Sequence, residues 1–156
     1  LKNKQRELKD LKVLFVCTGN TCRSPMAEAL LKARCPECDA ASAGLATEDG
    51  LPASLYAVDA AAELGGELRE HRSQRLTDKL VEEASLILTM TGAHKRHLLS
   101  LYPQARGRTF TIAEYAGEDG DVEDPFGGSL ETYRSTAKDL QRLIEKIITK
   151  LEMKEK

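Results

Sequence analysis

The sequence predicts one α/β domain, a doubly wound parallel sheet with helices on both faces. Three observations predict it. Four apolar or β-branched segments, at 13–16, 39–45, 86–90 and 109–115, alternate with stretches rich in helix formers, which is the order of βαβ units. The first of them, VLFV, is apolar at every position, as a strand covered on both faces must be. The chain has 156 residues, enough for one core and short for two.

Each element has its own reason. Residues 1–10, LKNKQRELKD, are heavily charged and read as an N-terminal extension, leaving 11–156 as the domain. After VLFV, Pro25 suits the first turn of a helix that MAEALLKAR continues. DAASAGL at 39–45 is a weaker strand ending at Gly44. PASLYAVDAAAEL at 52–64 reads as a helix with Pro52 near its start and Gly65-Gly66 as its stop. LTDKLVEEA at 76–84 is a helix with Thr77 as its cap. LILTM at 86–90 repeats the pattern of the first strand, and HKRHLLSLY at 94–102 is a helix ended by Pro103. TFTIAEY at 109–115 is a strand or strand end, and GEDGDVEDPFGG at 117–128 an acidic, glycine-rich loop. Beyond Ser129, the residues Leu140, Leu143, Ile144, Ile147, Ile148 and Leu151 recur at helical spacing.

Composition excludes several functions. A net charge of -2, from 23 basic and 25 acidic residues, gives no global field for nucleic acid, so any anion site must be local. No apolar stretch approaches the roughly 18 residues needed to cross a membrane, and no signal-peptide pattern opens the chain, so the expected setting is cytoplasmic. A monomer is expected. Cys17, Cys22, Cys35 and Cys38 all fall in the first quarter, a clustering expected of reactive chemistry or free thiols rather than of a disulfide framework. Cys35-Pro36-Glu37-Cys38 reads as a lone pair of thiols in a loop, because zinc would need two further ligands and His71, His94 and His97 lie far away in sequence. No metal or cofactor is expected. His94 and His97, beside Lys95 and Arg96, read as a solvated helix face.

The chemistry concentrates at residues 12–28, KVLFVCTGNTCRSPMAE. Cys17 ends the strand, and in open parallel sheets ligands collect beyond the carboxyl ends of strands. The helix that follows aims its positive end and unpaired N–H groups back at the loop. Gly19 and Asn20 tolerate left-handed backbone, so the loop of Thr18, Gly19, Asn20, Thr21 and Cys22 can curl with its N–H groups inward. Such a cradle holds a phosphate and favours the thiolate, the reactive form of Cys17. Arg23 can grip two phosphoryl oxygens with its planar fork, and Ser24 can hydrogen-bond the sulfur and steady it as a leaving group. The nucleotide-binding pattern G-x-x-x-x-G-K-[ST] is absent.

VCTGNTCRSPMAE resembles the signature C-x-G-N-x-C-R-S-P of the low-molecular-weight protein tyrosine phosphatase family. The resemblance continues through SAG at 42–44, HRSQRLT at 71–77, SLILTMT at 85–91 and DVEDPFGG at 121–128, and so covers nearly everything from Lys12 onward. It implies a four-stranded parallel sheet flanked by helices and a two-step, metal-free reaction on phosphorylated proteins. Cys17 would attack phosphorus while Asp124, of Asp124-Pro125-Phe126, protonates the leaving group and then serves as base for water. It also implies a redox role for Cys17 and Cys22, since members with the second cysteine can join the two in a reversible, protective disulfide. Asp119, Asp121 and Glu123 read as merely solvated.

Thr21 bears on whose phosphate is bound. Tyrosine-directed members usually carry a bulkier aliphatic residue there, and threonine, with Phe126 in DPFGG, resembles the bacterial protein arginine phosphatase branch. A threonine hydroxyl can accept a bond from a guanidinium N–H, which isoleucine cannot. Phosphoarginine is therefore the expected substrate, with phosphotyrosine the alternative. An arsenate reductase of the same fold ranks below both, because its downstream cysteine relay is missing: no cysteine follows Cys38. A non-catalytic phosphate-binding module would not need both Cys17 and Asp124.

Overall fold

The computed structural model describes residues 10–154, so all of the predicted extension except Asp10 lies outside the described residues. Four strands, β1 (Lys12–Cys17), β2 (Asp39–Gly44), β3 (Leu86–Thr89) and β4 (Thr109–Thr111), form one sheet in the order β2-β1-β3-β4, parallel throughout. The helices are α1 (Arg23–Arg34), α2 (Leu55–Glu63), α3 (Asp78–Glu83), α4 (Gly92–Leu101), α5 (Ile112–Tyr115) and α6 (Leu130–Lys154), with a 3₁₀ stretch over Pro103–Arg108. The predicted α/β class and four-stranded parallel sheet are those observed.

Side chains alternate across β1, and that alternation makes two core layers. Val13 and Phe15 face a core built from α1, α2, α5 and α6. Leu14 and Val16 face a smaller one built from Val81 and Ala84 at α3 and Leu98 of α4. The α6 stripe behaves as its periodicity predicts: Leu140, Leu143, Ile144, Ile147 and Leu151 are buried and Ile148 partly so. Because β1 has β2 on one side and β3 on the other, the chain reverses direction across the sheet at β1. Cys17 therefore ends its strand at the switch point, where a crevice opens.

α1 begins at Arg23 and carries Pro25 within its first turn as expected, where a missing N–H costs nothing. Two other boundaries differ from the sequence expectation. Pro52 does not start α2; it bridges Arg72 in an antiparallel pair, and Ser54 caps the helix by accepting from the Ala57 N–H at 3.3 Å. The 109–115 segment splits after three strand residues. Thr111 accepts from the Glu114 N–H (3.0 Å) while its own N–H donates to Glu114 Oε1 (2.8 Å), a capping box that turns the strand into α5.

The thiol expectation for Cys35 and Cys38 is corrected: they form a disulfide. The tight turn after α1, closed by the Cys38 N–H on the Cys35 carbonyl at 2.9 Å, brings the Cα atoms to 5.4 Å, within bridging range. No described helix is long and apolar enough to cross a membrane.

Candidate active site

Five residues separate the end of β1 from the start of α1, and their backbone is pinned on all sides. Ala46 N–H donates to the Thr18 carbonyl (2.9 Å), and Ser54 N–H to the Thr21 carbonyl (3.0 Å). The Asn20 carbonyl meets His71 Nε2 at 2.8 Å, and the Cys22 carbonyl takes the Met26 N–H at 3.1 Å. Since each peptide is planar and trans, carbonyls engaged outward leave the N–H groups of Thr21, Cys22 and Arg23 turned the other way, toward the pocket that residues 17–23 line.

Asn20 is the hub. Its φ is +55°, and it is fully buried. Asparagine tolerates that left-handed conformation better than most residues; Gly19, predicted to share it, does not adopt it. Asn20 Oδ1 accepts from the Gln74 N–H at 2.9 Å, and Nδ2 donates to Ser24 Oγ at 2.9 Å. Its own N–H points at Cys17 Sγ, 3.3 Å away, and Ser24 Oγ lies 2.9 Å from the same sulfur. The sulfur thus faces a backbone N–H and a hydroxyl whose lone pairs already serve Asn20, so Ser24 is free to donate to a thiolate. Gly44 completes the cradle: a Cβ there would sit 2.7 Å from the Thr18 carbonyl oxygen, so the end of β2 can lie against the loop only without a side chain.

Arg23 is buried, with Nη1 donating to the Val122 carbonyl at 3.0 Å and Nη2 3.6 Å from Asp124 Oδ2. Asp124 is the exposed partner, its side chain 57% accessible, and its Oδ1 accepts from the Phe126 N–H at 3.1 Å. Cys17, Thr18, Gly19, Asn20, Thr21, Cys22, Arg23, Asp124 and Phe126 enclose a pocket of about 240 Å³. Every predicted site residue is brought together there, with Ser24 fully buried behind the sulfur. Cys17 and Cys22 are both free thiols. Cys22 Sγ has Ser54 Oγ and Tyr133 OH as neighbours, each at 3.5 Å. Burial, followed by the Cys22 contact, raises the Tyr133 hydroxyl above its usual range.

Sequence reasoning missed four residues of this frame, one of them Asp121, whose Oδ1, expected to be merely solvated, accepts the Gly92 N–H at 2.9 Å. His94 is not on a solvated face: it is 8% exposed, and its Nε2 lies 2.9 Å from Thr18 Oγ1. Burial, reinforced by the nearby Arg23 charge, lowers its pKa to about 4, so the ring is neutral near pH 7. Its Nδ1 has no partner among the described residues. The available signal was spacing, since His94 and Leu98 lie four apart and are both buried; Arg96 and His97 do face solvent. His71 was seen only as part of a motif, yet it holds the Asn20 carbonyl. Tyr133 gave no local signal; it reaches Cys22 from α6.

Comparison with known proteins agrees with this geometry. A protein-arginine-phosphatase of Geobacillus stearothermophilus is 42% identical over 143 residues, covering 90% of this chain and 96% of that protein. A crystal structure of a low molecular weight protein tyrosine phosphatase from T. tengcongensis superposes with a TM-score of 0.87 at 46% identity, covering 90% of this chain and 99% of the other. A cysteine-to-serine mutant of YwlE arginine phosphatase with a phosphorylated active-site serine superposes with a TM-score of 0.87 at 40% identity, covering 90% and 95%. The family described as low molecular weight phosphotyrosine protein phosphatase matches residues 12–156, and the chain belongs to that family.

Proposed function

We propose that this chain is a protein phosphatase that works through a cysteinyl-phosphate and prefers phosphoarginine. Cys17 Sγ attacks phosphorus while Arg23 and the loop N–H groups hold the phosphoryl oxygens. The P–N bond breaks as Asp124 gives its proton to the departing guanidine nitrogen. Water then attacks the cysteinyl-phosphate, Asp124 takes the proton, and inorganic phosphate leaves with the thiolate regenerated and steadied by Ser24. The relative trapped with phosphate on the residue that replaces its cysteine supports Cys17 as nucleophile. Phosphorylated bacterial proteins in a cytoplasm are the substrates of this reading. A monomer is the oligomeric state of this reading. Reversible oxidation of Cys17 and Cys22 to a disulfide belongs to it as well, with a peroxide taking the two electrons and two protons and a thiol reductant returning them.

The observation that carries the choice of substrate is Thr21 on the pocket wall, beside Cys17, Arg23 and Asp124. Its hydroxyl offers a guanidinium N–H an acceptor, and a site that hydrogen-bonds its substrate discriminates strongly against one that cannot reciprocate. Phosphotyrosine is the second reading. It is favoured by Phe126, an exposed ring at the pocket mouth on which a phenyl group could stack, and by the tyrosine phosphatase named above. Parallel kcat/KM measurements on phosphoarginine and phosphotyrosine peptides decide between them. The expected result is a phosphoarginine preference in the native chain that Thr21→Ile shifts toward phosphotyrosine by about tenfold or more. A native preference for phosphotyrosine, or a ratio that Thr21→Ile leaves unchanged, would overturn the arginine assignment.

A further inference from the structure

Asp124 sits on a loop bounded by two glycines in left-handed conformation, Gly120 at φ +96° and Gly127 at φ +81°. A segment hinged this way has little intrinsic reason to present its carboxylate at one place. What fixes it lies two and three residues upstream. Val122 is 4% exposed, its N–H donates to the Met90 carbonyl at 2.9 Å, and its carbonyl accepts from Arg23 Nη1 at 3.0 Å. Asp121 Oδ1 accepts from the N–H of Gly92, the first residue of α4, at 2.9 Å.

The start of α4 shows that this second bond is a true helix cap supplied by another loop. A helix begins with N–H groups that no earlier turn can satisfy. Thr91 Oγ1 takes the His94 N–H at 3.0 Å, and Asp121 takes that of Gly92. A carboxylate is the acceptor favoured there, both by charge assistance and by the helix dipole. The same turn carries His94, which contacts Thr18. The first turn of α4 is thus a shared anchor, holding the phosphate loop by one residue and the acid loop by another. Past Val122, Asp124 itself is exposed and contacts the Phe126 N–H and, at 3.6 Å, Arg23, while the carbonyl of the buried Pro125 that follows it accepts the Gly128 N–H at 2.8 Å.

We propose that Asp121 is a positioning residue for Asp124, its carboxylate on the α4 N-terminus setting where the acid loop departs and hence where the proton is delivered. The proposal rests on Asp124 as proton donor. It places Asp121 outside the pocket, touching no substrate atom, so its loss should impair proton delivery and spare oxyanion binding.

Leaving-group dependence separates this role from a general loosening. The kcat/KM of a cysteine-dependent phosphatase reports phosphorus attack and leaving-group departure. p-Nitrophenol departs readily as its anion, whereas phenol, with a pKa of about 10 like that of tyrosine, needs the proton. Asp121→Ala is expected to lower kcat/KM for phenyl phosphate by about tenfold, and for p-nitrophenyl phosphate by less than about threefold, with orthovanadate inhibition unchanged. Asp121→Asn, which keeps a carbonyl oxygen for the Gly92 N–H, should restore phenyl phosphate turnover to within about threefold of native. Asp124→Ala is the reference and should show the same split, deeper. If Asp124→Ala shows it and Asp121→Ala loses equally on both substrates, or on neither, the positioning role is overturned. If Asp124→Ala itself shows no split, the proton-donor assignment fails and this inference falls with it.

Discussion

Replacing Asn20 by alanine tests whether one buried side chain organises the phosphate loop. The substitution deletes two hydrogen bonds, a part-buried one from the Gln74 N–H and a buried one to Ser24 Oγ. While Ser24 Oγ keeps its contact with Cys17 Sγ, the Gln74 N–H loses its acceptor beside a residue 20 with no solvent access. At about 1.5 kcal/mol each, the upper end for an ordinary intramolecular bond, they amount to about 3 kcal/mol. Alanine must also adopt the φ of +55°, which adds about 1 kcal/mol for a residue without a side-chain amide to support it. The expected cost is about 4 kcal/mol, a Tm lower by about 8 to 16 °C for a chain of this length. Differential scanning calorimetry reads that directly. In the folded protein at low temperature, kcat/KM should fall at least about a hundredfold, because Ser24 and the Asn20 N–H no longer converge on Cys17 Sγ. A Tm drop under about 3 °C, or near-native kcat/KM, would refute the view of Asn20 as the keystone of the loop.

Two further perturbations follow from the same frame. Gly44→Ala places a Cβ 2.7 Å from the Thr18 carbonyl oxygen and 2.8 Å from Thr47 Cγ2. It should cost about 1 to 3 kcal/mol by overpacking and lower kcat/KM as the loop shifts; calorimetry and steady-state kinetics check both, and unchanged kinetics would contradict the close-contact account. His94, with a pKa lowered from 6.5 to about 4, takes up its proton more readily in the unfolded chain than in the folded one. Its contribution to stability is complete above about pH 6.5 and drains away as pH falls toward 4. Urea midpoints between pH 4 and 7.5 should therefore decline with acidification more steeply in the native protein than in His94→Gln, and parallel curves would disprove it.

The parts of the site legible in sequence are those built from neighbours along the chain. Cys17, Arg23 and Ser24 are spaced by a strand end, one loop and a helix start, so local geometry alone brings them together. Asp124 was marked by the proline and aromatic residue that follow it. The illegible parts are contacts that exist only once the sheet order is known. Thr18 and His94 are 76 residues apart, Asn20 and His71 are 51 apart, and Gly92 and Asp121 are 29 apart. Each joins the loop after β1 or β3 to a segment from another part of the chain, and no hydrophobic period encodes such a pairing. Cys35 and Cys38 failed differently: their spacing was visible, but whether the turn between them brings the sulfurs into range depends on how α1 ends.

That division has a physical consequence for the chemistry. Cys17 and Arg23, the proposed nucleophile and phosphate grip, come from one strand–helix junction, whereas Asp124, the proposed proton donor, reaches the same pocket from about a hundred residues further on, through Val122 and Asp121. The loop between β1 and α1 is held by Ala46, Ser54, His71 and Gln74, whereas the Asp124 loop is held by Met90, Gly92 and Arg23 through Val122 and Asp121. Damage to the anchors at Met90 and Gly92 should therefore be felt first in protonation of the leaving group, and damage to those at Ala46, Ser54, His71 and Gln74 first in oxyanion binding, because each set holds a different loop.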